Sequence, residues 1–97
     1  MAGREDIFQK TMNDGHSAAW DKNWEQAAAA YTLALAEFPE SAKALNSFAL
    51  AQFQLEKYPE ALKAYMRAAR VAPEDPIAFE KIAQINERMG NTKEAVQ

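Results

Sequence analysis

The sequence predicts an all-α protein built as an array of antiparallel helix pairs. Five residue pairs stand 34 positions apart: Trp24 and Tyr58, Ala27 and Ala61, Tyr31 and Tyr65, Ala34 and Ala68, Pro39 and Pro73. Self-similarity at a fixed period of about 20 to 50 residues means stacked copies of one supersecondary unit, none of which buries its apolar face alone. Strong helix formers fill the chain from about Glu5 to Gln97. Apolar residues recur at helical spacing, as in Leu45, Phe48, Ala49 and Leu55, and β-branched residues are few, so no strand is expected.

Six helices follow from the breakers, taken in chain order. The first spans residues 5–21 and is stopped by Asp21-Lys22-Asn23. The second, 24–37, ends before Pro39, since the residue preceding a proline is pushed out of the helical region. Ser41 is a good N-cap and opens the third helix over 41–55, which stops at Glu56-Lys57. The fourth, 58–71, ends before Pro73. Asp75, with Pro76 after it at a position where a missing N–H costs nothing, opens the fifth over 75–89. Gly90-Asn91 then separates a sixth helix running from residue 92 to the end.

Composition excludes several function classes. The 97 residues make one small domain, and their 48% apolar content leans on alanine, which lets helix axes approach closely. There is no cysteine, hence no disulfide and no Cys-based zinc site. A net charge of −3, with Lys and Arg scattered among carboxylates, argues against a nucleic-acid surface. The opening residues lack a signal-peptide core, and no apolar run reaches membrane-spanning length, so a cytoplasmic location with no membrane contact is expected.

Catalysis is not expected. Asp14, His16 and Ser17 are the residue types of a hydrolase triad, but two and three positions apart on one helix they point to different faces. His16 is the only histidine, so no metal-ligand spacing exists, and three glycines form no phosphate loop. No cofactor is implied.

The pattern resembles the tetratricopeptide repeat family, whose unit is two antiparallel helices in 34 residues with small and large side chains at set places. The second repeat fits best, with Leu45, Phe48 and Ala49 in its first helix and Tyr58, Ala61, Tyr65 and Ala68 before Pro73. Ala49 and Ala61 let the two helices touch, and Tyr65 with Ala68 receives the next helix. The first repeat keeps Gly15, Trp24, Ala27, Tyr31 and Ala34, but has Thr11 and Asp14 where large apolar residues belong, so Met12 and Phe8 are expected to take over the packing. The third gives Phe79, Ile82, Ala83, Gly90 and Ala95 and is cut short. The resemblance implies a right-handed superhelical array, one domain over 1–97, with repeats at about 8–41, 42–75 and 76–97. An accidental helical bundle and a pentatricopeptide RNA reader are the competing architectures; the second would need a basic groove.

What the resemblance implies about function is a concave groove lined by the first helix of every repeat. Carried over by position, the groove residues are Met12, His16 and Trp20, then Asn46, Leu50, Phe53 and Gln54, then Lys81, Gln84 and Arg88. Trp20, Leu50 and Phe53 would anchor a protein or peptide partner inside a polar rim; the alternative for Trp20 and Phe53 is packing between repeats. One subset of the family clamps a double carboxylate with Lys, Asn and Arg, whereas this chain has Met12, His16, Ser47, Ile77 and Lys81 at those positions, so that ligand is not implied. Two function classes remain. One is docking of a partner segment in the groove. The other is self-association, as a homodimer, through a carboxyl-terminal end exposing Phe79, Ile82, Met89 and Val96.

Overall fold

A computed structural model of the chain describes residues 3–90. It contains five helices: α1 (Arg4–Trp20), α2 (Trp24–Glu37), α3 (Ala42–Gln54), α4 (Tyr58–Val71) and α5 (Pro76–Arg88). Their bounds lie within a residue or two of the expected ones, and the described residues hold no strand. The sixth helix expected from residue 92, with Ala95 and Val96, lies outside the described residues. Each helix packs chiefly on its neighbours in sequence, α1 on α2, α2 on α3, α3 on α4 and α4 on α5.

The caps explain where the helices begin. The side chains of Asn23, Ser41 and Asp75 accept from the backbone N–H groups of Gln26, Ala44 and Ile77, supplying acceptors for donors that a helix start leaves orphaned. α1, preceded by Gly3, and α4 start without such a cap; in α4, Pro59 in the first turn presets the helical φ instead.

The ends of α1 and α3 repeat a device that the sequence reading missed. Lys22 and Glu56 both sit at φ 61°, and Gly90, a further 34 residues on, at φ 78°. At the first two sites the chain closes back with a six-residue bond, Asn23 N–H to Ala18 O (2.8 Å) and Lys57 N–H to Gln52 O (2.9 Å). Only glycine takes up left-handed backbone freely, and an L residue there costs about 1–2 kcal/mol. Lys22→Gly and Glu56→Gly are therefore expected to stabilise the protein by about 0.5–1 kcal/mol each, once the entropy of the added glycine is set against the relieved strain. Urea denaturation of both variants and their combination checks this; an unchanged or lowered midpoint would contradict it.

Alanine does build the core. Ala27, Ala34, Ala44, Ala49, Ala51 and Ala61 are wholly buried, with Ala49 and Ala61 in one cluster around Leu45, Tyr65 and Ile85. At the amino-terminal end Met12 is buried and Phe8 stands edge-on to Phe38 with ring centroids 5.2 Å apart, so these two do replace the missing apolar pair. Thr11 is tolerated inside because its hydroxyl donates to Ile7 O (2.7 Å), while exposed Asp14 pairs with Lys10 (3.0 Å).

Candidate functional site

α1 and α3 line a common cleft, and side chains of α5 reach across to Phe53 of α3. Between α1, α2 and α3 lies a cleft of about 370 Å³ lined by His16, Ala19, Trp20, Trp24, Tyr31, Ser47 and Leu50. Spacing along α1 puts His16, Ala19 and Trp20 on one stripe, and Leu50 follows Ser47 by three residues on α3. Trp20 closes α1 and is 88% exposed, the most open of the large apolar side chains.

The floor of the cleft is polar and held. Tyr31 is buried, its hydroxyl 2.7 Å from His16 Nδ1 and its ring in a T-shaped contact with the imidazole at 5.5 Å. A neutral imidazole with its proton on Nε2 accepts from that hydroxyl. Burial pushes the Tyr31 hydroxyl above the usual tyrosine value, and a hydrogen bond from Ser47 offsets part of the rise. These contacts engage His16 with Tyr31, and Asp14 is engaged with Lys10, so neither points toward the other as a catalytic pair would.

Further along α3 the character changes. Phe53 is 9% exposed, lying under two cations of α5: Lys81 Nζ is 5.5 Å and the Arg88 guanidinium carbon 5.1 Å from its ring centroid. Tyr58 packs against the same ring at 5.6 Å and accepts from Arg88 at 3.4 Å. Attraction between cation and ring face fixes the two side chains beside a patch of aromatic surface. Neither cation belongs to an ion pair among the described residues. Asn46, which precedes the cleft residue Ser47 on α3, has a solvent-shielded Oδ1 with no hydrogen-bond partner among the described residues.

The residues expected in the groove therefore separate by depth. Trp20, Gln54, Gln84 and Arg88 are exposed, and His16 and Leu50 line the cleft. Met12 is a correction: at 1% exposure it belongs to the core and offers a ligand nothing. Phe53 is largely covered by Lys81 and Arg88, so the packing alternative describes it better than that of an open anchor. Phe79 and Met89 are exposed and Ile82 half-buried, whereas Val96 lies outside the described residues. Trp24 and Tyr31, contributed by α2, were missed as cleft residues; their 34-residue partners had marked them only as packing positions.

Among the described residues no helix is long and apolar enough to cross a membrane. The chain matches the family profile described as Tetratricopeptide repeat over residues 17–76 and 46–97. No curated protein matches it. Similar solved structures include the Arabidopsis OM64 TPR domain (22% identity, TM-score 0.89, covering 96% of this chain and 77% of that one). The TPR2B-domain:pHsp70-complex of yeast Sti1 is similar too (22% identity, TM-score 0.85, 92% and 71%). A chain of the CopN-Scc3 complex matches at 23% identity and TM-score 0.87 over 94% of this chain, which spans 53% of that chain's length. At these identities the likeness is one of fold.

Proposed function

Because the chain belongs to the tetratricopeptide repeat family, we propose that it is a non-enzymatic interaction module that holds a segment of a partner protein along the face made by α1, α3 and α5. The repeats at about 8–41, 42–75 and 76–97 act as one domain in this reading. Exposed Trp20 at the mouth of the cleft carries it. A tryptophan left in water beside Trp24 and Leu50 offers large apolar area on a rigid side chain, the commonest kind of binding hot spot.

The polar groups fit a peptide laid past that anchor. Gln54 and Gln84, exposed on α3 and α5, offer amide donors and acceptors to a peptide backbone. Lys81 and Arg88 on Phe53 favour an acidic or aromatic side chain further along. With Met12 in the core and Ile77 apolar, the face lacks the charges for a double carboxylate. One apolar anchor with amide support is the recognition mode.

The test uses peptides selected on this chain from a random display library and measured by calorimetry. Trp20→Ala is expected to cost about 2 kcal/mol of binding, roughly thirtyfold in Kd, with the melting temperature nearly unchanged because the side chain is exposed. Selected peptides that bind the variant as tightly as the parent would remove Trp20 from the site and this reading with it.

A further inference from the structure

The floor of the Trp20 cleft holds a run of hydrogen-bonding side chains, one from each of its three helices. Ser47 of α3 bonds the Tyr31 hydroxyl of α2, which stands 2.7 Å from Nδ1 of His16 on α1. The tyrosine hydroxyl has one hydrogen to give, and a neutral imidazole offers Nδ1 as its acceptor, so Ser47 donates to Tyr31 and Tyr31 to His16. The imidazole proton is thereby held on Nε2, which points away from the floor because the two ring nitrogens face diverging directions. His16 is exposed, and it is the end of the run that a ligand reaches. The cleft is otherwise without charge: α2 brings Tyr31 and Trp24 to it and α3 brings Ser47 and Leu50. The charged residues nearest in sequence, Asp14, Asp21 and Lys22 along and after α1, Glu25 on α2 and Lys43 on α3, do not line it, and Asp14 is paired with Lys10.

We propose that this run is a reversible proton switch, through which the cleft holds an acidic side chain of the partner segment more tightly as pH falls; the inference rests on the docking reading above. A proton from solvent enters at Nδ1, and the imidazolium then donates where the imidazole had accepted. The Tyr31 hydroxyl keeps its place by turning its hydrogen toward Ser47 Oγ, so the run reverses without displacing either ring. The cleft gains one positive charge, and Nε2–H becomes a charge-assisted donor among the apolar groups of Trp20, Trp24 and Leu50, where water screens it less. A carboxylate beside the group seated on Trp20 gains from both changes. Asp and Glu ordinarily titrate near about 3.9 and 4.3, so the partner's carboxylate stays ionised while histidine changes charge between about pH 8 and pH 5.

His16 is the only histidine of the sequence, so heteronuclear NMR reads its ring nitrogens in the free chain without ambiguity. The Nε2–H tautomer is expected at about pH 8; an Nδ1–H tautomer overturns the proposal. For binding, a random peptide display library is panned at about pH 5.5, and the selected peptides are measured by calorimetry there and at about pH 8. The pool is expected to be enriched in Asp and Glu, and its peptides to bind about fivefold tighter at the lower pH, the difference between a charged and a neutral hydrogen bond. Replacing the peptide carboxylate by its amide, or His16→Gln in the protein, should each abolish that gain. An affinity indifferent to pH, or a gain that survives His16→Gln, overturns the proposal and leaves the Trp20 reading standing. Peptides that bind Trp20→Ala as tightly as the parent at both pH values remove that reading, and this inference with it.

Discussion

Tyr65→Ala is expected to cost about 3–5 kcal/mol, the range for truncating a large buried aromatic, and so to remove a large share of the about 5–15 kcal/mol that holds a small domain together. Tyr65 is the largest of the side chains sealed from solvent, at 1% exposure, in the cluster that contains Ala61 and Ala68 of its own helix, Leu45 and Ala49 of α3, and Ala78 and Ile85 of α5. A cavity there loosens three helices together, and surrounding alanines are too short to collapse into it. Urea denaturation followed by circular dichroism checks the size; a loss below about 1 kcal/mol would mean that the ring is dispensable. The same burial pushes the Tyr65 hydroxyl up to about 12 from 10.0. The unfolded chain then releases this proton first, so the contribution is intact below pH 10 and is lost as pH rises through 12.

Gly15→Leu is expected to destabilise by about 3 kcal/mol, at the upper end of the usual overpacking range. In an exposed helix interior, replacing glycine gains helix propensity, about 1 kcal/mol for alanine. Here the sign reverses, because a Cβ on Gly15 meets Tyr31 ring carbons at 2.4, 2.7 and 2.8 Å, and the ring is buried and tied to His16. Leucine adds three more carbons to a contact already too short for one. Tyr31 must swing away, breaking its bond to His16 and deforming the floor of the cleft. Thermal melts measure the loss, and the imidazole resonances of His16 report the displaced hydroxyl. A variant at least as stable as the parent would show that the helices simply part at this point.

Much of the fold was legible because the repeat constrains the backbone twice. Pro39 and Pro73 stop helices wherever they stand, and Ser41 and Asp75 cap them with local chemistry that needs no tertiary knowledge. Ala27, Ala49 and Ala61 were readable as contact points because only a small side chain lets two helices touch. The left-handed residues were harder. Lys22 and Glu56 have no intrinsic liking for positive φ; only their register with Gly90 exposes the role.

The binding face was legible by helix and not by depth. Periodicity places Met12, His16 and Trp20 on α1, but how far each is covered depends on where α2 and α3 cross it. Met12 falls under the crossing and Trp20 past its end. Phe53 was misjudged for a related reason: the cations that cover it stand 28 and 35 residues away, on a helix brought alongside only by the stack. Tyr31 reaches the cleft from a second helix because Gly15 leaves a gap for its ring, a relation between two positions that neither residue announces alone.

Packing each helix chiefly on its sequence neighbours also decides how the protein gives way. Such a stack behaves as a short line of coupled units, each held by the interface on either side, so order is lost from an end inward and the terminal helices open at a smaller free-energy cost than the middle of α3 and α4. A partner lying across α1, α3 and α5 would span units that otherwise communicate only through the helices between them. Binding would then act as a splint, recruiting the fraying ends into one cooperative transition and sharpening the melt as well as raising its midpoint.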